Sequence, residues 1–377
     1  MDFGHALGSI GLSANLHNCS FQVLDARSIP DIETAFCLHT VNQFADNIKD
    51  ERERELLHLL VCVTPKNSAF NFYTEGVQFL TEVIEYTKAN VTTVGIPNST
   101  FNRADTHMHW PFVEAIETIC TYPTPIPAQL VKIEAENAIE PGLYSDKSRL
   151  ANSIRTRRSV LNFHQKAIPV SKFVRCLASC MSNANSLVCE SLQFNYSSNP
   201  TLSNVSFGIW VNAVSSMKSG LYFLVRNAAD LETLQEEYKK NYPDAAPWQR
   251  VDSNNIPSWL PLYFVSDTIP DIRKSSSDAS CYQQIAQDCA FVIGMFVNIT
   301  NSLKISPNYA HIHWEAGFLG QMLYLQATLE SLGATGMGCF LDDLSMEVFG
   351  ITNTFYPIYH FAVGEPKLDN RYSPFEY

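Results

Sequence analysis

Apolar residues along this chain recur at two spacings, and the spacing predicts the elements. Ala6, Leu7, Ile10, Ala14 and Leu16 predict a helix over residues 3–19. The run LLVCVTP (59–65) is apolar and stops at a proline, which predicts a buried strand. Val77, Leu80, Val83 and Ile84 predict a helix over 74–88, and Pro111 is well placed in the first turn of another over 111–120. A helix that carries Arg149, Arg155, Arg157 and Arg158 is expected over 146–158. Phe173, Val174 and Leu177 predict the next, with Ser171 as its N-cap. Alternation from Val205 to Ala213 predicts a strand over 205–214, and a polar turn (215–220) leads to a second strand (221–225), a hairpin. Asp230 is placed to cap a helix, 260–265 reads as a short strand, and 280–300 reads as an apolar helix.

From Ala310 to Leu332 there is no proline and almost no polar face, so this helix is expected to be buried. Gly317 and Gly320 each cost about 0.8–1 kcal/mol relative to alanine in a helix, and their expected use is close approach of a second helix. Gly333 is expected to end the helix. After it, Gly336-Met337-Gly338-Cys339-Phe340 reads as a tight turn whose bare backbone can meet a flat ligand. The plainer reading of the same stretch is a core helix with a glycine stop.

When Gly4 is set against Gly317, Leu7, Ile10, Leu12 and Ala14 fall against Gly320, Leu323, Leu325 and Ala327. HFAVGEP (360–366) likewise resembles 59–65. The order predicts a divergent internal repeat whose first copy lacks its front. The expected organisation is a truncated repeat over 1–65, a helical connector and proline-rich linker over 66–145, and a main domain over 146–377. Helices grouped between antiparallel strands favour an α+β fold with a mixed, mainly antiparallel sheet.

Composition narrows the function. The 377 residues are 46% hydrophobic and carry a net charge of −12, which excludes a protein built chiefly to bind nucleic acid or an anionic membrane surface. No basic segment precedes a long apolar run near Met1, and the longest apolar run, 290–297, is far below the ~20 residues that span a bilayer, so a soluble, cytoplasmic protein is expected. Ten cysteines without a CxxC pair read as reduced, packed thiols. The pairs His107/His109 and His311/His313 are two residues apart and point away from one another on a helix, so no metal is expected. Hydrolase, NTPase and dinucleotide-fold motifs are absent from the sequence.

RTRRSVLNF (155–163) followed by IPVSKF (168–173) resembles the opening signature of the FMN-dependent nitroreductase superfamily. Residues 314–343 are similar to its long central helix and flavin-contacting turn, and 358–372 to its last strand and tail. SGLYFLVRN (219–227), LPLYFV (260–265) and SCYQQIAQDCAFVIGM (280–295) resemble the branch related to SagB-type thiazole/oxazole-peptide (azoline) dehydrogenases, many of them tandem. The resemblance implies a nitroreductase-like α+β fold and FMN as cofactor, with NAD(P)H a candidate reductant and a small-molecule or peptide substrate. It implies that Arg157, Arg158 and Ser159 hold the flavin phosphate, with Arg371 returning to it from the tail. It implies that the Gly338 N–H meets the ring edge, that Met337 and Cys339 flank it, and that Gln283 faces ring or substrate; ordinary packed or surface roles are the alternatives. The implied assembly is a homodimer or an intramolecular pseudo-dimer. No catalytic acid or base is assigned. Leu161 stands where a basic residue is common in the superfamily, and the loop 199–204 departs from its small-residue pattern. These departures favour the other reading, a flavin-free pseudoenzyme that serves as a structural or partner-binding protein.

Overall fold

The computed structural model describes residues 1–25, 31–36, 59–70, 72–90, 116, 120, 146–181, 204–302 and 308–367. In chain order these form α1 (Asp2–Leu16), β1 (Cys19–Asp25), α2 (Ile32–Ala35), β2 (Leu59–Pro65), α3 (Val77–Asn90), α4 (Lys147–Thr156), β3 (Phe163–His164), α5 (Val170–Ala178), β4 (Val205–Val211) and β5 (Gly220–Leu224). There follow α6 (Leu231–Asn241), β6 (Gln249–Arg250), β7 (Leu262–Ser266), α7 (Ile272–Ala279), α8 (Gln284–Asp288), β8 (Phe291–Asn298), α9 (Ile299–Ser302), α10 (Asn308–Leu329), β9 (Gly333–Met337), α11 (Asp342–Phe349) and β10 (Phe355–Pro366). The predicted loop 97–108, linker 122–145 and tail around Arg371 lie outside the described residues, as do His107 and His109. Of the predicted helix 111–120, only Ile116 and Cys120 are described.

The main sheet has eight strands in the order β3-β10-β8-β4-β5-β7-β6, with β9 also paired to β10. Its strand pairs are antiparallel, which gives the expected α+β class. The predicted hairpin is β4–β5. The predicted apolar helix over 280–300 is corrected: α8 is short, and Phe291–Asn298 is the central strand β8, buried at all eight positions. A strand covered on both faces has no alternation, and a short continuous apolar run is ambiguous by periodicity alone. Gly208 of β4 pairs with Gly294 of β8, and a Cβ on Gly208 would lie 2.7 Å from the Phe296 ring. Those two bare positions leave room for the aromatic layer of Trp210, Phe296 and Phe349.

Two caps differ from expectation. Ser171 lies inside α5, whose N-cap is Pro169. Asp230 precedes α6 without a capping bond, and its carboxylate accepts instead from Asn298 Nδ2 at 2.9 Å.

The buried helix α10 lies against α1, as Gly317 and Gly320 predict. Gly4 and Gly317 touch, and Gly320 faces His5 and Tyr359. Gly333 does not end the helix. Ser331, at φ 57, makes the left-handed stop, and Gly333 opens β9, where a Cβ would lie 2.4 Å from Val160. Among the described elements, the order helix–strand–helix–strand, with the two strands antiparallel, occurs in α1-β1-α2-β2, where 26–30 and 37–58 lie outside the described residues, and again in α10-β9-α11-β10. No described helix is long and apolar enough to cross a membrane.

Candidate functional site

The site is organised along β9. Asp146 caps α4 by accepting from Arg149 N–H, and the helix delivers Arg157 and Ser159 to the start of that strand. Ser159 bridges to Ala334 in parallel fashion, Val160 N–H donates to Ala334 O at 3.1 Å, and Thr335 Oγ1 donates to Val160 O. Tyr324, buried on α10, joins these parts. Its hydroxyl lies 2.9 Å from that of Ser159, in a hydrogen bond, and accepts from Gly336 N–H at 2.9 Å. The Arg157 guanidinium sits 4.7 Å above the Tyr324 ring, a cation–π contact. Arg158 points elsewhere: its Nη1 donates to the carbonyls of Arg155 and Arg157, closing the end of its own helix.

Just past the end of β9, four residues and about 13 Å of extended chain from Ala334, Gly338 is exposed, and a Cβ built there would meet nothing within 4 Å. Met337 is 2% exposed and packs in the core with Trp210 and Phe349, so its side chain is core rather than surface. Cys339 is exposed and disulfide-bonded to Cys281. This overturns the expectation of reduced thiols throughout; the two residues share no local sequence motif, being 58 apart, so spacing gives no sign of it. Gln283 Nε2 donates to Cys339 O and to Ser280 O, both at 2.9 Å, tying its loop to the turn. Thus Arg157 and Ser159 gather at one end of β9, while Gln283, Gly338 and Cys339 gather at the other.

Residues that sequence reasoning missed pack beside β9. His5 Nδ1 donates to Gln321 Oε1 at 3.2 Å, leaving Nε2 to accept from the Tyr359 hydroxyl at 3.1 Å. Burial lowers the His5 pKa, and the Arg157 charge adds to that, so the ring stays neutral; burial pushes the Tyr359 phenol up. A Cβ on Gly336 would lie 1.9 Å from the Tyr359 hydroxyl, so only glycine lets that phenol lie against β9. Tyr359 follows from the register of β9 on β10, but the part played by His5 has no local signal. Among the described residues no group of three metal-ligating side chains forms.

The nitroreductase family model matches residues 154–365, more than half of the 377, and the chain belongs to the nitroreductase family. A protein described as a nitroreductase of Anabaena variabilis ATCC 29413 has a similar structure, with a TM-score of 0.53, 18% identity, and coverage of 97% of this chain and 64% of that one. The chain therefore spans about 64% of the length of that relative. A protein described as a nitroreductase of Ralstonia eutropha JMP134 has a TM-score of 0.39 and 13% identity, covering 64% of this chain and 89% of its own. NfrA1 of B. megaterium has a TM-score of 0.35 and 10% identity, covering 60% and 69%. No curated protein sequence matches the chain.

Proposed function

We propose that this chain is an FMN-dependent oxidoreductase, nitroreductase- or azoline-dehydrogenase-like, that passes hydride through flavin N5 to or from a small-molecule or peptide substrate, with NAD(P)H the candidate reductant where the substrate is reduced. One observation carries the reading: β9 has an arginine and a hydroxyl at one end and a bare, open backbone at the other. Among the described residues no acceptor pairs with the Arg157 guanidinium, which leaves it for a phosphate, and Ser159 adds a hydroxyl beside it. The open space at Gly338 suits a flat ring brought against its N–H. When bound, FMN supplies two-electron hydride chemistry at N5, which a backbone donor there favours. Gln283 and Cys339 border the same turn; Met337 supports it from the core, and Arg158 supports the motif by capping its helix. Arg371 is retained as a second phosphate ligand on the resemblance alone.

We further propose that residues 1–65 correspond to the back part of the repeat in 146–377, joined through 66–145. The repeated element order and the mutual contact of Gly4 and Gly317 support it. Because α1 covers that face of α10, the pseudo-dimer within one chain is favoured over a homodimer through the same face.

The pseudoenzyme remains the second reading, favoured by specific contacts: Ser159 is already bonded to Tyr324, and the Gly338 turn is bridged by the disulfide. Visible absorbance of the purified chain, with thermal melts at rising FMN, separates the two. Released FMN near one per chain, lost in Arg157→Ala/Arg158→Ala, supports the enzyme. A colourless protein that gains none of the ~2.7 kcal/mol expected at 100 times a micromolar dissociation constant supports the pseudoenzyme.

A further inference from the structure

Cys281 and Cys339 join two segments at the rim of the site, with Cα atoms 5.9 Å apart. Cys339 is exposed and follows Gly338 directly, while Cys281 is half-buried beside Tyr282, which is 70% exposed. The bridge holds an unfavourable backbone: Cys281 and Tyr282 sit at φ 54 and φ 59, a region that side chains other than glycine rarely enter, let alone in succession. Tyr282 N–H donates to Ser277 O, and Gln283 ties the loop to Cys339 O.

Beyond the bridge both segments are anchored on the same buried ring. The Ser280 hydroxyl is hydrogen-bonded to His360 Nδ1 at 3.0 Å, and the Phe340 ring stacks on the imidazole at 4.7 Å and 11°. Opening the bridge would remove the covalent tie between 281–283 and 338–339 and leave the Gln283 Nε2–Cys339 O hydrogen bond to hold them against the unfavourable φ angles, while Ser280 and Phe340 stay in place. The rest of the core need not move.

We propose that Cys281–Cys339 is a thiol–disulfide exchange site for low-molecular-weight thiols, and that its reduction releases the Gly338 turn. The exchange stands on the bridge and its exposure. That the released turn admits a ligand rests on the flavin reading above. An external thiolate attacks the exposed Cys339 sulfur, the S–S bond breaks, and Cys281 leaves as a thiolate that takes a proton from water. A second thiol then displaces Cys339 from the mixed disulfide. Two external thiols are oxidised to one disulfide, and the pair gains two electrons and two protons.

The full chain, equilibrated with dithiothreitol and alkylated with iodoacetamide under native conditions, provides the test by peptide mass spectrometry. Cys176, Cys180 and Cys289 are internal controls, since burial raises all three thiols, Cys180 and Cys289 to about 12. Cys281 and Cys339 should gain label together, at least about tenfold faster than these controls, with near-ultraviolet circular dichroism unchanged. Labelling that needs denaturant, or labelling of both before any reductant, overturns the exchange site. Hydrogen exchange over 280–283 and 338–341 should rise by about tenfold on reduction while 291–298 stays protected; unchanged protection overturns the release. Cys281→Ser/Cys339→Ser should show the released pattern without reductant. Tighter FMN binding by the reduced chain supports admission, and equal binding in both states overturns it. No FMN binding in either state overturns the flavin reading, while alkylation still decides the exchange and hydrogen exchange still decides the release.

Discussion

Gly4 and Gly317 meet backbone to backbone. A Cβ on Gly4 would lie 2.1 Å from Trp314 O, and one on Gly317 would lie 2.1 Å from Met1 O. Met1 and Trp314 each stand three residues before their own glycine, so the contact is reciprocal, as contacts across a two-fold axis are. Neither position can take a methyl unless α1 and α10 separate. Gly4→Ala and Gly317→Ala should each cost about 1–3 kcal/mol of unfolding free energy. The double variant should cost less than their sum, because one gap accommodates both methyls. Urea unfolding followed by tryptophan fluorescence measures this, and a neutral outcome would mean that the helices do not touch here.

Arg226 and Glu315 form an ion pair at 2.9 Å with side chains only 1% and 6% exposed. The Glu315 carboxylate also accepts from the N–H groups of Asn204 and Val205, and so fixes the start of β4. Glu315→Ala strands a buried guanidinium and should cost about 3–5 kcal/mol. Glu315→Gln keeps an acceptor and should cost clearly less. Equal losses in denaturant titrations would assign the effect to packing instead of charge.

His360 is fully buried between Ser280 and Ser345, and burial pulls its pKa from 6.5 down to about 3. The folded ring stays neutral while the unfolded ring takes up a proton below about 6.5, so the unfolded state binds more protons across that window. Stability should fall as pH drops from about 6.5 towards about 3, by at most about 1.4 kcal/mol per pH unit from this group. Melting of His360→Gln should lose part of that slope; an unchanged slope would place the acid sensitivity elsewhere.

Tyr324→Phe removes the hydroxyl that accepts from Gly336 N–H and bonds Ser159 but leaves the ring under Arg157. The stranded N–H should cost about 1–3 kcal/mol. On the flavin reading FMN affinity should hold or rise, because Ser159 is released; a fall on titration would make Tyr324 itself a ligand-holding group.

Residues whose surroundings come from nearby chain are legible in the sequence. The strand 59–65 is β2 to the residue, but the burial expected of it is not found, since Val61 and Val63 are 36% and 48% exposed on a two-stranded sheet; the glycines of α10 signal a helix contact, because a missing Cβ has few other uses in a buried helix. Phe291–Asn298 reads as helix from sequence because burial on both faces erases the alternation that marks a strand. Arg157, Ser159 and Gly338 can be named from motif order, but the hub that joins the first two, Tyr324, looks like any apolar-helix residue until α10 is laid against β9.

By itself the sequence determined the class of fold, the buried central helix, and five of the ten described strands, β2, β4, β5, β7 and β10, because their apolar runs keep a strand's alternation or stop at a turn or proline. Only tertiary structure decided that His5 reaches Tyr359, that Arg158 folds back on its own helix while Arg157 does not, and that Cys281 and Cys339 meet across 58 residues. Each of those depends on the rotation and register at which distant elements pack, and no local propensity encodes that.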